Sequence, residues 1–89
     1  MRTKRFIDGL NNSQKIRVIV NGVGFYTTVR GAFDMVFSSQ QKAVTMALLS
    51  VGLSQSLPDG KRMNGLARPF TVYGDNGEKV VVDVQVDLI

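Results

Sequence analysis

The stretch KIRVIVNGVGFYTTV, residues Lys15 to Val29, decides the fold of this chain. Its midpoint is Asn21-Gly22, a pair that favours a type I′ turn because both residues tolerate positive φ. On each side of the pair apolar and polar residues alternate, as in strands with one buried face. We therefore predict an antiparallel hairpin in which Tyr26 lies opposite Arg17. The residues expected on its inward face are Ile16, Val18, Val20, Val23, Phe25 and Val29.

A second hairpin is predicted in the C-terminal part of the chain. Phe70–Tyr73 and Lys79–Leu88 alternate in the same way, and Asp75–Gly77 supplies a three-residue turn with its glycine in the left-handed region. This turn places Phe70 opposite Val82, which puts Val80, Val82, Val84 and Val86 on the inward face of the last strand and Val81 on the outward face. Register is strongly set where one face of a sheet is buried.

The last predicted strand is longer than its partner in the second hairpin. Its remaining length needs another strand, either from the first hairpin or from a second copy of the chain. Because exposed strand edges tend to pair, the second option predicts a homodimer through Val80–Ile89. The sequence leaves both options open.

Between the hairpins the sequence predicts one main helix. Ser38–Gln41 has the spacing of a capping box, and apolar residues then recur with helical periodicity up to Val51. Gly52 suits the position just after the C-terminal end of a helix. The predicted helix therefore spans Ser39–Val51. Ala32–Phe37 alternates like a third strand but also suits a lead-in to the helix.

These elements predict an α+β fold: a mostly antiparallel sheet of four or five strands, built from two β-hairpins, with one main α-helix packed on one face, in the order ββ(β)αββ. Residues 15–89 form a single α+β domain, since a chain of 89 residues supports one core. Residues 1–14 form a basic N-terminal arm or a short helix.

The composition excludes several kinds of chemistry. The chain has no cysteine and no histidine, so disulfides, zinc sites of the Cys/His kind and His-based hydrolytic triads are all excluded. Its glycines do not match nucleotide-binding loops. We therefore expect a protein that is not an enzyme and has no cofactor or metal. The lack of cysteine predicts a reducing, cytoplasmic setting, and no apolar run is long enough to span a membrane.

Charge is distributed unevenly along the chain. The net charge is +4, but the first thirty residues carry +5 and residues 69–89 carry −3. An asymmetry of this kind suggests a face that binds a polyanion, or complementary faces on neighbouring copies.

The basic residues predict a candidate binding surface around an exposed tyrosine. Strand alternation places Lys15, Arg17, Tyr26, Thr28 and Arg30 on the outward face of the first hairpin, and a long loop, Ser54–Arg68, adds further cations. Cations around an aromatic ring on an open sheet are typical of proteins that hold single-stranded nucleic acid. The predicted nucleic-acid-binding residues are Lys15, Arg17, Tyr26, Arg30, Lys61, Arg62 and Arg68.

Two functions follow from this surface. The first is a small binding protein for nucleic acid, which uses the basic sheet face and the cationic loop. The alternative is a protein-interaction module, an inhibitor or regulatory subunit of a larger complex, which docks through a sheet edge or the cationic loop. Salt separates the two, because nucleic-acid affinity falls steeply with ionic strength.

Overall fold

A computed structural model describes residues 9–34, 38–58 and 60–89. The predicted N-terminal arm therefore lies outside the described residues as far as residue 8, and so do residues 35–37 of the segment Ala32–Phe37. The elements in chain order are β1 (Lys15–Val20), β2 (Val23–Thr28), α1 (Val29–Ala32), α2 (Ser38–Gln55), β3 (Gly65–Tyr73) and β4 (Lys79–Leu88).

The predicted fold class is confirmed. The described residues form a four-stranded sheet with strand order β2-β1-β4-β3, and every pairing is antiparallel. The main helix, α2, packs on one face of it, chiefly against β3 and β4. The other face of the sheet carries no helix of the described residues.

Both hairpin registers are confirmed. Arg17 lies opposite Tyr26 in the first hairpin, whose turn residue Asn21 has φ +50°. Phe70 lies opposite Val82 in the second, and Gly77 has φ +80° in its turn. The turn residues therefore set the registers as expected, because a left-handed backbone is available at low cost only to residues such as Asn and Gly.

The long C-terminal strand is paired within the chain. β4 pairs with β3 along Lys79–Asp87 and with β1 along Val84–Leu88, so its extra length is taken up by the first hairpin. The expectation of a homodimer through Val80–Ile89 rested on a free edge along that strand. Its C-terminal half has no such edge, because strands lie on both sides of it. The unmatched length therefore gives no support to dimerisation.

Helix α2 is longer than predicted and continues through Gly52 to Gln55. The predicted stop at Gly52 was wrong because tertiary contacts outweigh the poor helix propensity of glycine. The backbone of Gly9 lies so close to the Gly52 carbonyl that a Cβ atom at position 9 would clash with the carbonyl oxygen. Ser54 and Gln55 each donate a hydrogen bond to the carbonyl of Met63, at 3.3 and 2.7 Å, which holds the last turn of the helix against the following loop.

The predicted long loop is shorter, since β3 begins at Gly65 and not at Phe70. Pro69 does not end the strand, because its backbone nitrogen points to the unpaired edge of the sheet. No N–H is needed there for pairing with β4. Arg68 therefore lies in a strand and not in a loop.

The first hairpin also ends earlier than predicted. β2 stops at Thr28, whose hydroxyl accepts a hydrogen bond from the Gly31 amide at 3.0 Å and caps α1. Val29 and Arg30 are consequently helical and not part of the strand.

The core lies between α2 and the sheet. The fully buried residues with the largest side chains are Ile16, Leu48, Val18, Val29, Val44, Val51, Val82 and Val86.

No helix of the described residues is long and apolar enough to cross a membrane.

Candidate nucleic-acid interface

Three of the predicted site residues meet on the open face of the first hairpin. Lys15 and Arg17 project from β1, and Tyr26 projects from β2 directly opposite Arg17. The Tyr26 side chain is 73% exposed, so its ring is available to a ligand. This part of the site follows from strand alternation, as the sequence predicted.

Arg17 is not available as a simple cation. Its guanidinium donates hydrogen bonds to Asp87 Oδ2 from the terminal nitrogen at 2.6 Å and from Nε at 3.2 Å. Gln85 donates to the same oxygen at 2.8 Å. These bonds from Gln85 and Arg17 lower the pKa of Asp87, and the Asp87 contacts raise the pKa of Arg17. The predicted phosphate contact at Arg17 therefore competes with an internal ion pair.

Sequence reasoning missed the Asp87 partner, although a signal was present. Arg17 and Asp87 are 70 residues apart and meet only because β4 pairs with β1. The unmatched length of the last strand indicated that pairing as one of two options. Choosing it would have placed an acidic residue on the same outward face as Arg17.

Arg30 lies on α1 and not on the sheet face, because Thr28 ends the strand. It still lies at the same end of the molecule as Lys15. Its amide donates to the Asn12 carbonyl at 3.0 Å, and the neighbouring Val29 amide donates to Gln14, the residue before Lys15, also at 3.0 Å. The start of β1 and the start of α1 are thus tied together.

The cations of the loop between α2 and β3 reach the same end. The Leu88 amide donates to the Asn64 carbonyl at 2.7 Å, and the Ile89 amide donates to the Lys15 carbonyl at 3.1 Å. Lys61 and Arg62 precede Asn64 in this loop and are exposed. The Arg62 guanidinium also donates to the Leu57 carbonyl at 2.9 Å, which holds the loop closed.

Arg68 is separated from the other site residues. It shares the strand face of Phe70, which is the helix-covered face, and its guanidinium carbon lies 4.9 Å from the centre of the Phe70 ring. It cannot join Arg17 and Tyr26 on the open face. The cause of the wrong assignment is the earlier start of β3, which fixes the side of the sheet to which Arg68 points.

Lys15, Arg30, Lys61 and Arg62 are called the basic end below. The acidic residues nearest to it in the chain are Asp59, two residues before Lys61, and Asp34, four residues after Arg30. The opposite end of the sheet carries the turn between β3 and β4, with Asp75 and Glu78. The uneven charge of the sequence therefore becomes an uneven charge between the two ends of the sheet.

Among the described residues, no three acidic side chains come close enough together to hold a metal ion. Neither a family model nor a curated protein nor a solved structure matches the chain. The function therefore has to be argued from the geometry of the site.

Proposed function

We propose that this protein is a non-enzymatic binding protein that holds single-stranded nucleic acid at its basic end, with the ring of Tyr26 as a stacking platform. The observation that supports the proposal is the convergence of three separate segments at one end of the sheet. The start of β1, helix α1 and the α2–β3 loop each bring a cation to that end, and Lys15 shares the open face with the exposed ring of Tyr26. A chain without cysteine also suits a reducing, cytoplasmic setting.

The size of the basic end fits a short piece of single strand. Neighbouring strands lie about 4.8 Å apart, so the three spacings from β2 to β3 cover about 14 Å. Cations spread over this width can follow a phosphate backbone across several nucleotides. A duplex is the poorer ligand, because its bases are stacked on one another and cannot reach Tyr26.

The test is a fluorescence-anisotropy titration of the full chain with short labelled single strands of DNA and RNA at about 50 mM salt, where electrostatic binding is strong. Tyr26→Ala should cost about 1–3 kcal/mol of binding free energy, since base stacking is lost. Tyr26→Phe should be nearly silent, because stacking uses the ring. Binding to a duplex should be weaker than to either single strand.

The cations are tested by the dependence of affinity on salt. Arg30→Ala and Lys61→Ala should each weaken binding for all sequences and flatten the salt slope by about one unit. Arg17→Ala should flatten the slope less, because Asp87 already neutralises that charge. Lys79→Ala, at the opposite end of the sheet, is the matched control and should change nothing.

Two results would contradict the proposal. One is no binding to either single strand at low salt. The other is binding whose affinity is the same for the wild type, for the control Lys79→Ala and for the three site variants. Those variants are Tyr26→Ala, Arg30→Ala and Lys61→Ala. In either case the preference passes to the second candidate, a protein-interaction module. The observation that favours this candidate is that β2 and β3 each have a strand on one side only, among the described residues.

A further inference from the structure

A groove lies between helix α2 and the edge strand β3, remote from the basic end. Its volume is about 590 Å³, and its walls are formed by the first turns of α2 and the last residues of β3. Met46 and Tyr73, both exposed, line the groove, and Lys42 contributes a cation. The groove is therefore open, partly apolar and positively charged at one point.

The floor of the groove carries main-chain groups that face away from the sheet. Gly74 N–H donates to the Glu78 carbonyl at 2.8 Å, and Leu88 N–H donates to the Asn64 carbonyl at 2.7 Å. These bonds set the phase of the β3–β4 ladder, in which main-chain groups point alternately to the partner and away from it. Thr71 and Tyr73 therefore direct their N–H and C=O groups outward.

One hydrogen bond supports this assignment independently. Lys42 Nζ donates to the carbonyl oxygen of Tyr73 at 3.0 Å, from the side of the groove. The carbonyl is thus accessible to a donor from outside the sheet. The ammonium group of Lys42 is held over the edge of β3 but remains exposed to solvent.

Pro69 limits what can bind along this edge. It lies two residues before Thr71, so its backbone nitrogen also points outward from the sheet, but this nitrogen carries no hydrogen to donate. A strand that paired with the whole of β3 would lose a hydrogen bond at this point. Two copies joined through their complete β3 edges are therefore disfavoured, whereas a short segment beside Thr71 and Tyr73 is not.

We propose that the groove binds a short extended segment of a partner protein, which adds to the sheet as a strand beside β3 and presents a carboxylate to Lys42. Main-chain hydrogen bonds to Thr71 and Tyr73 would supply affinity, and alternate side chains of the segment would enter the groove beside Met46. The carboxylate would exchange the weak contact of Lys42 with a carbonyl for an ion pair. This inference gives the protein-interaction candidate a surface and a ligand, and it does not depend on nucleic-acid binding.

The probe is a library of random octapeptides with free C-terminal carboxylates, attached through their N-termini and incubated with the full chain. We expect enrichment of peptides with apolar residues at alternate positions and a carboxylate. The best peptide is then synthesised in free-acid and amidated forms. A loss of affinity on amidation assigns the carboxylate to the C-terminus, and no loss assigns it to an acidic side chain.

Two variants separate the charge from the main chain. Lys42→Met should weaken the peptide by about three- to fivefold, the range of an exposed ion pair. Thr71→Pro removes an outward N–H, as Pro69 does naturally, and should weaken the peptide by at least about tenfold. Tyr26 lies on β2, at the opposite edge of the sheet from the groove. Tyr26→Ala is therefore the control and should leave peptide affinity unchanged. Thermal unfolding shows whether each variant is folded.

A readout on the peptide itself keeps the test valid if Thr71→Pro does not fold. N-methylation of the peptide, one residue at a time, should abolish binding at every second position, because only alternate N–H groups of an added strand face β3. The proposal is overturned if no peptide is enriched above background, if N-methylation has no period of two, or if Lys42→Met binds as the wild type does. A failure of this kind leaves the nucleic-acid titration unaffected, so the two proposals fail separately.

Discussion

The two hairpins share an architecture but differ in how they are covered. Helix α2 packs on β3 and β4 and touches β1 only at the margin. Val82 in β4 is 1% exposed, whereas Val23 in β2, which strand alternation also places on the inward face, is 68% exposed. The same residue type in the same orientation is therefore core in a covered strand and surface in the edge strand β2.

This difference shows where the stability of the sheet comes from. Apolar burial extends over β3, β4 and β1, where Ile16 and Val18 are fully buried, but it stops at β2, which contains no buried residue. The first hairpin is therefore anchored through β1, by its buried side chains and its ladder with β4, and by two side-chain contacts to β4. These contacts are Asn21 with Asp83 and Arg17 with Asp87.

The largest expected effect comes from breaking the covered hairpin. Leu48 on α2 is 0% exposed, so Leu48→Ala should lower the free energy of unfolding by about 2–5 kcal/mol through lost burial and a cavity. Leu49→Ala is the matched control, because its side chain is 45% exposed, and it should cost less than about 0.5 kcal/mol. Urea titrations of both variants measure the contrast, and equal losses would show that α2 packs by another face.

The contrast between the hairpins also shows how far the sequence could predict the fold. Alternation and turn residues predicted both registers, because these are local properties of Asn21, Gly22 and Gly77. The exposure of Val23 was not predictable in this way. It depends on which strands α2 covers, and that depends on the order of strands in the sheet, which a local pattern does not contain.

The candidate-site residues show the same distinction between local and long-range information. Lys15, Arg17 and Tyr26 were placed correctly, since hairpin register alone positions them. Arg30 and Arg68 were misplaced, since both depend on where a strand begins or ends, and there a cap or an edge proline decides. The neutralisation of Arg17 by Asp87 depended on the long-range pairing of β1 with β4.

A smaller effect is expected at the turn of the first hairpin. The Asn21 amide donates to the Asp83 carbonyl at 2.8 Å, and its side-chain oxygen accepts from the Asp83 amide at 3.0 Å. Asn21→Ala loses the second bond and places Ala at a positive φ, so it should cost about 1–2 kcal/mol of unfolding free energy. Asn21→Gly loses the same bond without the strain and should cost less. If both variants cost the same in a urea titration, φ at this position is not strained.

The smallest expected effect concerns the ion pair that joins the two hairpins. Hydrogen bonds from Gln85 and Arg17 lower the pKa of Asp87 below its value in the unfolded chain. A carboxyl group with a lowered folded pKa contributes stability that is complete above its unfolded pKa, near 4, and is lost as the pH falls through the folded value. The wild type should therefore lose this contribution on acidification, whereas Asp87→Asn should lack it at every pH.

The measurement is the difference in unfolding free energy between wild type and Asp87→Asn across that acidic range, by urea titration at a series of pH values. The difference should be small and constant at neutral pH, because both partners are partly exposed, and should narrow towards low pH. Asp83→Asn is the matched control on the same face of β4, since Asp83 takes part in the turn contact through its backbone and not its carboxylate. It removes a negative charge from the same strand and leaves the contact between Arg17 and Asp87 in place, so it separates the ion pair from a general effect of charge. Equal pH profiles for the two variants would show that the Arg17 pair does not hold the hairpins together.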